Sequence, residues 1–210
     1  MRKPEHGPLT RDDWTRAALE TIGRGGVSAV AVETIAAELG ATKGSFYWHF
    51  KNRTELIEAA LDRWEERRTD AIIQVLEQIS DPAMRLRTVM EGGIETGPTD
   101  RAEIALLANP GHPAAIRAVR RVAKRRIAYM AKQLEALGYD PQDALDRAVL
   151  ISYVYVGHLQ IAHLWPRFVA ADARRRRVQL LYDALVGGNR KNLSRRSVAP
   201  GAGRGKRVRS

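Results

Sequence analysis

Cysteine is absent from the 210-residue sequence. Its absence excludes disulfides and thiolate metal ligands and favours a reducing compartment, so we expect a cytoplasmic protein. No apolar run follows the basic N-terminal residues, and no secretory signal peptide is predicted. Alternating strand patterns are also missing, whereas Gly and Pro separate segments of helical periodicity, so the sequence predicts an all-α fold.

Patterns typical of enzymes are missing as well. The chain has no G-x-S-x-G nucleophile motif and no phosphate-binding loop, and its Gly-Arg-Gly-Gly segment follows a helical pattern rather than a strand. His158 and His163 are five residues apart and therefore lie on different faces of a helix, without a third ligand at a suitable spacing. We expect no catalysis, no cofactor and no metal site.

One segment is apolar enough to raise the question of a membrane span. Residues 148–165 read AVLISYVYVGHLQIAHLW. The segment is at the lower length limit for a span and contains a serine, a glutamine and two histidines, so we predict a buried helix and no membrane partner. A helix that is apolar all round must be covered on every side, and in a chain of this size a subunit interface predicts a homodimer.

Positive charge is concentrated at the C-terminus. The net charge is +11, but eight basic residues and no acidic one follow residue 186, so residues 1–186 carry only +3. The composition of residues 187–210 predicts a disordered tail, and a non-specific phosphate-binding arm is the alternative. A second basic run, on the helix that starts near Pro113, is interpreted as a solvated face.

Aromatic residues make up only 6% of the chain, yet four of them lie between positions 46 and 50. They belong to the stretch GATKGSFYWHFKNRTEL, residues 40–56, where the rings lie among basic residues and no acidic residue occurs between Thr42 and Thr54. Two short helices, predicted over Val32–Leu39 and Lys43–His49 and joined by Gly-Ala-Thr, form a helix-turn-helix. Phe46 and Phe50 are four residues apart and should hold the third helix in place, because so short a helix is unstable alone.

The rest of the chain predicts longer helices that are separated by Gly-Pro, Asn-Pro and similar breaks. The first of these helices begins at a capping box formed by Thr10 and Asp13. The later helices are predicted at 52–79, 83–96, 101–108, 113–137, 142–164 and 171–186. The inner stripe of the 113–137 helix is predicted from apolar residues at steps of three and four, namely Ile116, Val119, Ala123, Ile127, Met130, Leu134 and Leu137.

Residues from about Leu9 to Trp64 resemble the DNA-binding domain of the TetR family of bacterial transcriptional regulators. The resemblance rests on WTRAALETIGRGGVSAV and IAAELGATKGSFYWHFKNRTELIEAAL. It implies an N-terminal three-helix helix-turn-helix domain joined by a long helix to an α-helical ligand-binding and dimerisation domain. The boundaries expected on this basis are an arm at 1–9, the DNA-binding domain at 10–56, the helical domain at 57–186 and the tail at 187–210.

The resemblance also implies which residues contact double-stranded operator DNA. Positions 43 to 45 match base-reading positions, and most others match contacts to the DNA backbone. The full set is Thr34, Thr42, Lys43, Gly44, Ser45, Tyr47, Trp48, His49, Lys51 and Arg53. For Tyr47 and Trp48, packing as half-buried core rings is the alternative. Glu33 would either accept a hydrogen bond from cytosine N4 or repel phosphate.

For the second half of the chain, the resemblance implies dimerisation through the last two long helices and an enclosed ligand pocket. The pocket candidates are Met90, Glu91, Tyr129, Tyr153, Tyr155, His158, His163 and Trp165, and ordinary packing is the alternative for each. The interface candidates are Val149, Val156, Leu159, Leu181 and Leu185. Gly92 and Gly93 either make room for a ligand or only weaken their helix.

The function implied is sequence-specific regulation of transcription. The simplest form is a repressor that a small molecule releases from a palindromic operator. The alternative is a DNA-binding regulator without a small ligand, which acts constitutively or under the control of a protein partner. An enzyme is a third and weaker alternative, because no catalytic pattern supports it.

Overall fold

The computed structural model describes residues 9–96, 100–108, 111–169 and 173–187, and the regular elements within these ranges are helical, which confirms the all-α class. The predicted arm, up to residue 8, and the tail, from residue 188, lie outside them. The helices are α1 (Arg11–Gly25), α2 (Val32–Glu38), α3 (Lys43–Phe46), α4 (Arg53–Glu65), α5 (Ala71–Leu76), α6 (Pro82–Thr96), α7 (Arg101–Ala108), α8 (Pro113–Ala136), α9 (Pro141–Leu164) and α10 (Arg174–Leu185).

The capping box predicted for α1 is confirmed. The Thr10 side chain accepts a hydrogen bond from the Asp13 backbone, and the Asp13 carboxylate accepts one from the Thr10 backbone N–H at 2.9 Å. The helix ends at Gly26, whose φ of 74° lies in the left-handed region that favours glycine. Gly40, with a φ of 64°, provides the same freedom in the turn between α2 and α3.

Helix α3 is shorter than predicted. It ends at Phe46 rather than His49, and residues 47–49 form a turn. In this turn the backbone N–H groups of Tyr47 and Trp48 donate to carbonyls three residues back, which is the tighter pattern that often closes a helix. The turn lets both Phe46 and Phe50 reach the core, where each is at most 2% exposed.

The long helix predicted at 52–79 is interrupted by a change of hydrogen-bond pattern. A π-helical segment, Glu66–Asp70, connects α4 to α5, and the regular helix ends at Leu76. Arg126 of α8 supports this segment, because its guanidinium donates to the Arg68 carbonyl at 2.9 Å and to the Thr69 hydroxyl at 3.1 Å. Short π-helical segments in proteins are frequent at functional sites.

The inner stripe predicted for α8 is wrong in its first half. Ile116 and Ala123 are exposed, whereas the buried residues there are Ala114, Ala115, Ala118 and Val122. The small alanine side chains let α8 pack closely against α4. The size of these side chains, rather than their hydrophobicity, therefore decides which face of α8 is buried. In the second half, Met130 and Leu134 are buried as predicted.

The basic run on α8 is not a simple solvated face either. Arg121 lies 2.8 Å from Glu65, and Arg125 lies 2.6 Å from Asp70, so these arginines pair with α4 and the π-helical segment. The arginine side chains are about half exposed, and each such pair contributes less than about 1 kcal/mol. The ion pairs therefore align the two helices more than they stabilise them.

Buried side chains form two clusters. The first holds α1 to α4 together through Trp14, Phe46, Phe50 and other residues, and it continues into α7 and the start of α8. The second lies between α6, the end of α8, α9 and α10. Helices α1 and α7 approach closely, because a Cβ added to Gly23 would lie 3.0 Å from the Arg101 Cβ. The helix-turn-helix thus shares its core with helices far along the chain.

The described ranges contain no candidate membrane span and no candidate metal cluster. None of the helices there is both long and apolar enough to cross a bilayer. Among the same residues, no group of three His, Asp or Glu side chains could hold a metal ion.

Candidate functional site

The candidate DNA-reading surface is built by α2, the Gly40 turn and α3. The Thr42 side chain caps α3 by accepting a hydrogen bond from the Ser45 backbone N–H at 3.2 Å. Lys43 and Gly44 are exposed in the first turn, and the half-buried Ser45 hydroxyl donates back to the Thr42 carbonyl at 2.7 Å. The predicted base-reading positions therefore share one capped, outward-facing turn.

Directly after that turn, two exposed rings lie between two buried ones. Phe46 and Phe50 stack with centroids 5.5 Å apart, and Phe46 also meets the Trp14 ring edge-on at 5.5 Å. Trp48 is 88% exposed, so the alternative of a half-buried core ring is wrong for this residue. Tyr47 is 57% exposed and keeps an edge contact with Phe46. The two buried rings thus hold a surface from which the two other rings project.

Lys43 is engaged in an ion pair with Glu33 at the start of α2. Its Nζ lies 2.6 Å from the Glu33 carboxylate, and both side chains are largely exposed. The hydrogen bond between them lowers the pKa of Glu33 and raises the pKa of Lys43. Thr34, the other predicted residue of α2, is exposed next to this pair. A phosphate or base that binds Lys43 would have to share it with Glu33.

Arg53, which is predicted to contact phosphate, also makes hydrogen bonds within the chain. Its guanidinium donates to the Val27 carbonyl at 2.9 Å and to the Val30 carbonyl, so it anchors the connection between α1 and α2. Lys51 is exposed, and its backbone N–H donates to the Glu55 carboxylate at 2.8 Å. This hydrogen bond lowers the pKa of Glu55.

Arg11 belongs to the surface but was missed by the sequence reasoning. Its guanidinium lies 4.1 Å from the centroid of the Phe50 ring, donates to the carbonyl of the half-buried His49 and pairs with Glu55 at 3.1 Å. It connects the start of α1 with the turn after α3, although Arg11 and His49 are 38 positions apart in the sequence. No local pattern signals such a contact, because it depends on how α1 and α3 pack.

A cavity of about 450 Å³ lies between the π-helical segment, α5, α6, α8, α9 and α10. Most of its lining is aliphatic. The lining residues with polar side chains, among those described, are Arg68, Thr88, Arg126, Ser152 and Tyr155. Its size lies within the range typical of small-molecule sites, which are mostly apolar with a few polar groups.

A compact group of charges borders the cavity. Glu103 of α7 is completely buried and lies 2.5 Å from the Arg126 guanidinium, and Arg68 lies 2.8 Å from Asp100. Burial alone would lower the pKa of Arg126, but the Glu103 carboxylate outweighs this effect and raises it. Burial and the same carboxylate raise the pKa of Tyr155. Arg126 is therefore cationic, and Tyr155 neutral, at physiological pH.

Helix α9 carries an uncovered apolar face. Its exposed members, at helical spacing, are Leu150, Tyr153, Val154, Ile161 and Leu164. Gly157 lies within the same stripe, and a Cβ added there would meet nothing within 4 Å. Leu180 of α10 is also 60% exposed. A long apolar stripe with a glycine near its middle is suited to close packing against another helix.

Comparisons with known proteins agree with the N-terminal geometry. The family model for bacterial regulatory proteins of the tetR family matches residues 15–60. The transcriptional regulator TtgR of Pseudomonas putida is 37% identical over 65 residues, which cover 31% of this chain and 31% of TtgR. Residues 15–60 therefore carry the sequence pattern of the tetR family, and the matched segment spans about a third of the length of TtgR.

Solved structures of two transcriptional regulators extend the similarity in fold to most of the chain. A regulator from Saccharomonospora viridis, solved in complex with choline, has a TM-score of 0.70 at 20% identity, over 82% of this chain and 95% of its own. SmeT, the repressor of the Stenotrophomonas maltophilia multidrug efflux pump SmeDEF, has a TM-score of 0.65 at 23% identity, over 85% and 89%. At these identities the likeness concerns the fold.

Few of the predicted pocket residues line the cavity. Met90 and Tyr155 do, together with Gly92 and Gly93. The predicted residues outside the lining are Glu91, Tyr129, Tyr153, His158, His163 and Trp165. Three of these, Tyr153, His163 and Trp165, are exposed, and His158 places Nε2 3.1 Å from the Ile94 carbonyl. The prediction overvalued polar aromatic residues, because the lining is mainly aliphatic.

The predicted interface residues also differ from the exposed face. Leu159 is 0% exposed within the single chain, so its assignment to a subunit interface is wrong. Val149, Leu181 and Leu185 are half-buried, and Leu181 lines the cavity. Val156, at 36% exposure, is the one predicted residue of this group that is exposed. Because helical periodicity in an all-apolar segment marks no face, the sequence alone did not separate exposed from covered positions on this helix.

Proposed function

We propose that this TetR-family chain is a sequence-specific DNA-binding regulator of transcription, which acts as a repressor that a small molecule releases from a palindromic operator. The observation that carries the proposal is the outward display of Lys43, Tyr47 and Trp48 by a turn whose neighbouring rings are buried. An exposed tryptophan beside bases has no packing role, whereas a ring with a donor at its edge suits contact with the DNA backbone.

The small-molecule part of the proposal is supported by the cavity and by relatives. The solved S. viridis relative holds choline, and SmeT is a repressor. The cavity borders the rod formed by α4, the π-helical segment and α5, and this rod begins directly after the helix-turn-helix. A ligand that prefers one position of the rod would change the placement of the reading surface.

The domain organisation that we propose follows the expected boundaries. Residues 10–56 would form the DNA-binding domain and residues 57–186 the ligand-binding and dimerisation domain. The shared core between α1, α7 and α8 would make the two parts move together rather than independently. A homodimer through the exposed face of α9 would place two reading surfaces on one operator.

Replacing Lys43 by alanine is expected to weaken operator binding by about 1–3 kcal/mol and to relax the preference at one or two base pairs, because a base contact is lost. The variant also leaves the Glu33 carboxylate unpaired near DNA. Tyr47→Ala should instead weaken binding to all sequences alike. Fluorescence anisotropy with a selected operator and single-base variants of it measures both effects.

Lys132→Ala is the matched control for Lys43→Ala, because Lys132 is an exposed lysine of α8 outside the reading surface. Its operator affinity should equal that of the unmodified protein. If Lys43→Ala and Tyr47→Ala both kept full operator affinity as well, the reading surface would be assigned to the wrong residues.

A further inference from the structure

The charges that border the cavity balance each other. Among the described residues, Arg68 and Arg126 face Asp100 and Glu103, so two cations meet two anions. All four side chains are less than a quarter exposed, and Glu103 is fully buried. The Asp100 carboxylate also accepts the Glu103 backbone N–H at 2.9 Å. This group of four residues, which we name the closed charge cluster, therefore needs no further ion.

A charged ligand would lack a counter-ion in this cavity. The rest of the described lining is aliphatic apart from Thr88, Ser152 and Tyr155, and the Ser152 hydroxyl already donates to the Ala148 carbonyl at 2.9 Å. Moving an uncompensated charge from water into such surroundings is costly. A carboxylate would have to displace Asp100 or Glu103 from an arginine, and a cation would face the two guanidinium groups.

Recognition of a quaternary ammonium group has a further obstacle. Such cations are held by cages of several aromatic rings. Of the described residues that line the cavity, only Tyr155 is aromatic, and the Arg126 guanidinium already lies 5.8 Å from the centroid of its ring. The lining thus provides hydrogen-bonding hydroxyls but no cage.

We propose that the effector of this chain is an uncharged, mainly apolar molecule with one hydrogen-bonding group, and that the closed charge cluster selects against ionic ligands. The inference rests on the proposed function, since it assigns a ligand class to the cavity proposed to hold the effector. The hydrogen-bonding group would meet the open lone pairs of Ser152, because the Tyr155 hydroxyl is already hydrogen-bonded to Glu103. The aliphatic side chains of α5, α6 and α9 would cover the remainder.

The test compares three probes with the same ten-carbon chain and different head groups: decan-1-ol, decanoate and decyltrimethylammonium, each below its micellar concentration. Titration calorimetry of the full chain should show that decan-1-ol binds about tenfold or more tightly than either ionic probe, which corresponds to about 1.4 kcal/mol. Gly92→Leu locates the binding, because Gly92 lines the cavity and a Cβ there meets nothing within 4 Å. This variant should fill the cavity and abolish binding of decan-1-ol.

A change in the cluster should change the selectivity. Glu103→Gln leaves the cluster with one excess positive charge, so decanoate should gain at least about tenfold relative to decan-1-ol. If this variant does not fold, Asp100→Asn makes the same charge change at a less buried position and keeps an amide oxygen to accept the Glu103 backbone N–H.

The possible results separate this inference from the proposed function. Tighter binding of an ionic probe to the unmodified protein, abolished by Gly92→Leu, would overturn the neutral-ligand inference and leave a ligand-binding regulator in place. Decan-1-ol binding that persists in Gly92→Leu would overturn the inference, because the site would lie elsewhere. Failure of all three probes to bind would contradict both the inference and the small-molecule part of the proposed function, without affecting DNA binding.

Discussion

Phe46→Ala should lower the free energy of unfolding by about 3–5 kcal/mol, while Trp48→Ala, two positions away, should change it by less than about 0.5 kcal/mol. Phe46 is fully buried against Trp14 and Phe50, so its truncation leaves a cavity in the core of the helix-turn-helix. Trp48 is 88% exposed and packs against little that truncation could disrupt. Urea unfolding followed by far-UV circular dichroism measures both changes.

The affinity for DNA should distinguish the same two variants in the opposite order from their stability. Trp48→Ala should keep the fold and lose affinity for operator and non-operator duplexes alike, because the predicted contact is to the DNA backbone. Phe46→Ala should lose binding only to the extent that it unfolds, and a temperature low enough to keep it folded should restore part of the affinity. A Trp48→Ala variant that was as unstable as Phe46→Ala would show that the ring is a packing residue after all.

The sequence predicted where both helices of the helix-turn-helix begin and, to within one residue, where α2 ends, because the signals are local. A capping box, a glycine in a left-handed turn and two phenylalanines four residues apart each act within one turn of helix. The same locality explains the failures. The burial of Ala118 instead of Ile116 on α8, and the position of Arg11 over Phe50, depend on which helix comes to lie opposite.

The cavity was the least predictable feature. Its aliphatic lining comes from five separate elements, and its charged border joins Arg68 and Arg126 to Asp100 and Glu103 of another region of the chain. The spacing of these residues in the sequence does not indicate that their side chains come into contact. The π-helical segment that contains Arg68 could not be predicted from the sequence either. By helix propensity alone, its residues would continue an ordinary α-helix.

Ile161→Glu is expected to convert the proposed dimer into monomers. Ile161 is 45% exposed and lies in the apolar stripe of α9, together with residues such as Leu150 and Leu164. A carboxylate at this position would be buried without a partner in a two-fold contact, and each dimer would bury it twice. Because the side chain is partly exposed in the single chain, the helix itself should fold normally. Sedimentation equilibrium measures the change in mass.

Met84→Glu is the matched control, because Met84 is a similarly exposed apolar residue, at 49%, and lies on α6 outside the stripe. The same charge there should leave the dimer intact. Comparison of the two variants separates the effect of charge at the interface from the effect of a glutamate on an exposed helix surface.

The affinity for the operator should decrease when the dimer dissociates. Two reading surfaces about 34 Å apart match successive major grooves of a palindromic site, and linking two modules raises affinity by about 10²–10⁴-fold over one alone. Ile161→Glu should therefore bind the full operator about 100-fold or more weakly, and should bind a half-site as the unmodified protein does, because α1 to α3 lie outside the change. An Ile161→Glu protein that sediments as a dimer and binds the full operator normally would place the interface on another surface, with Leu180 of α10 as the next residue to test.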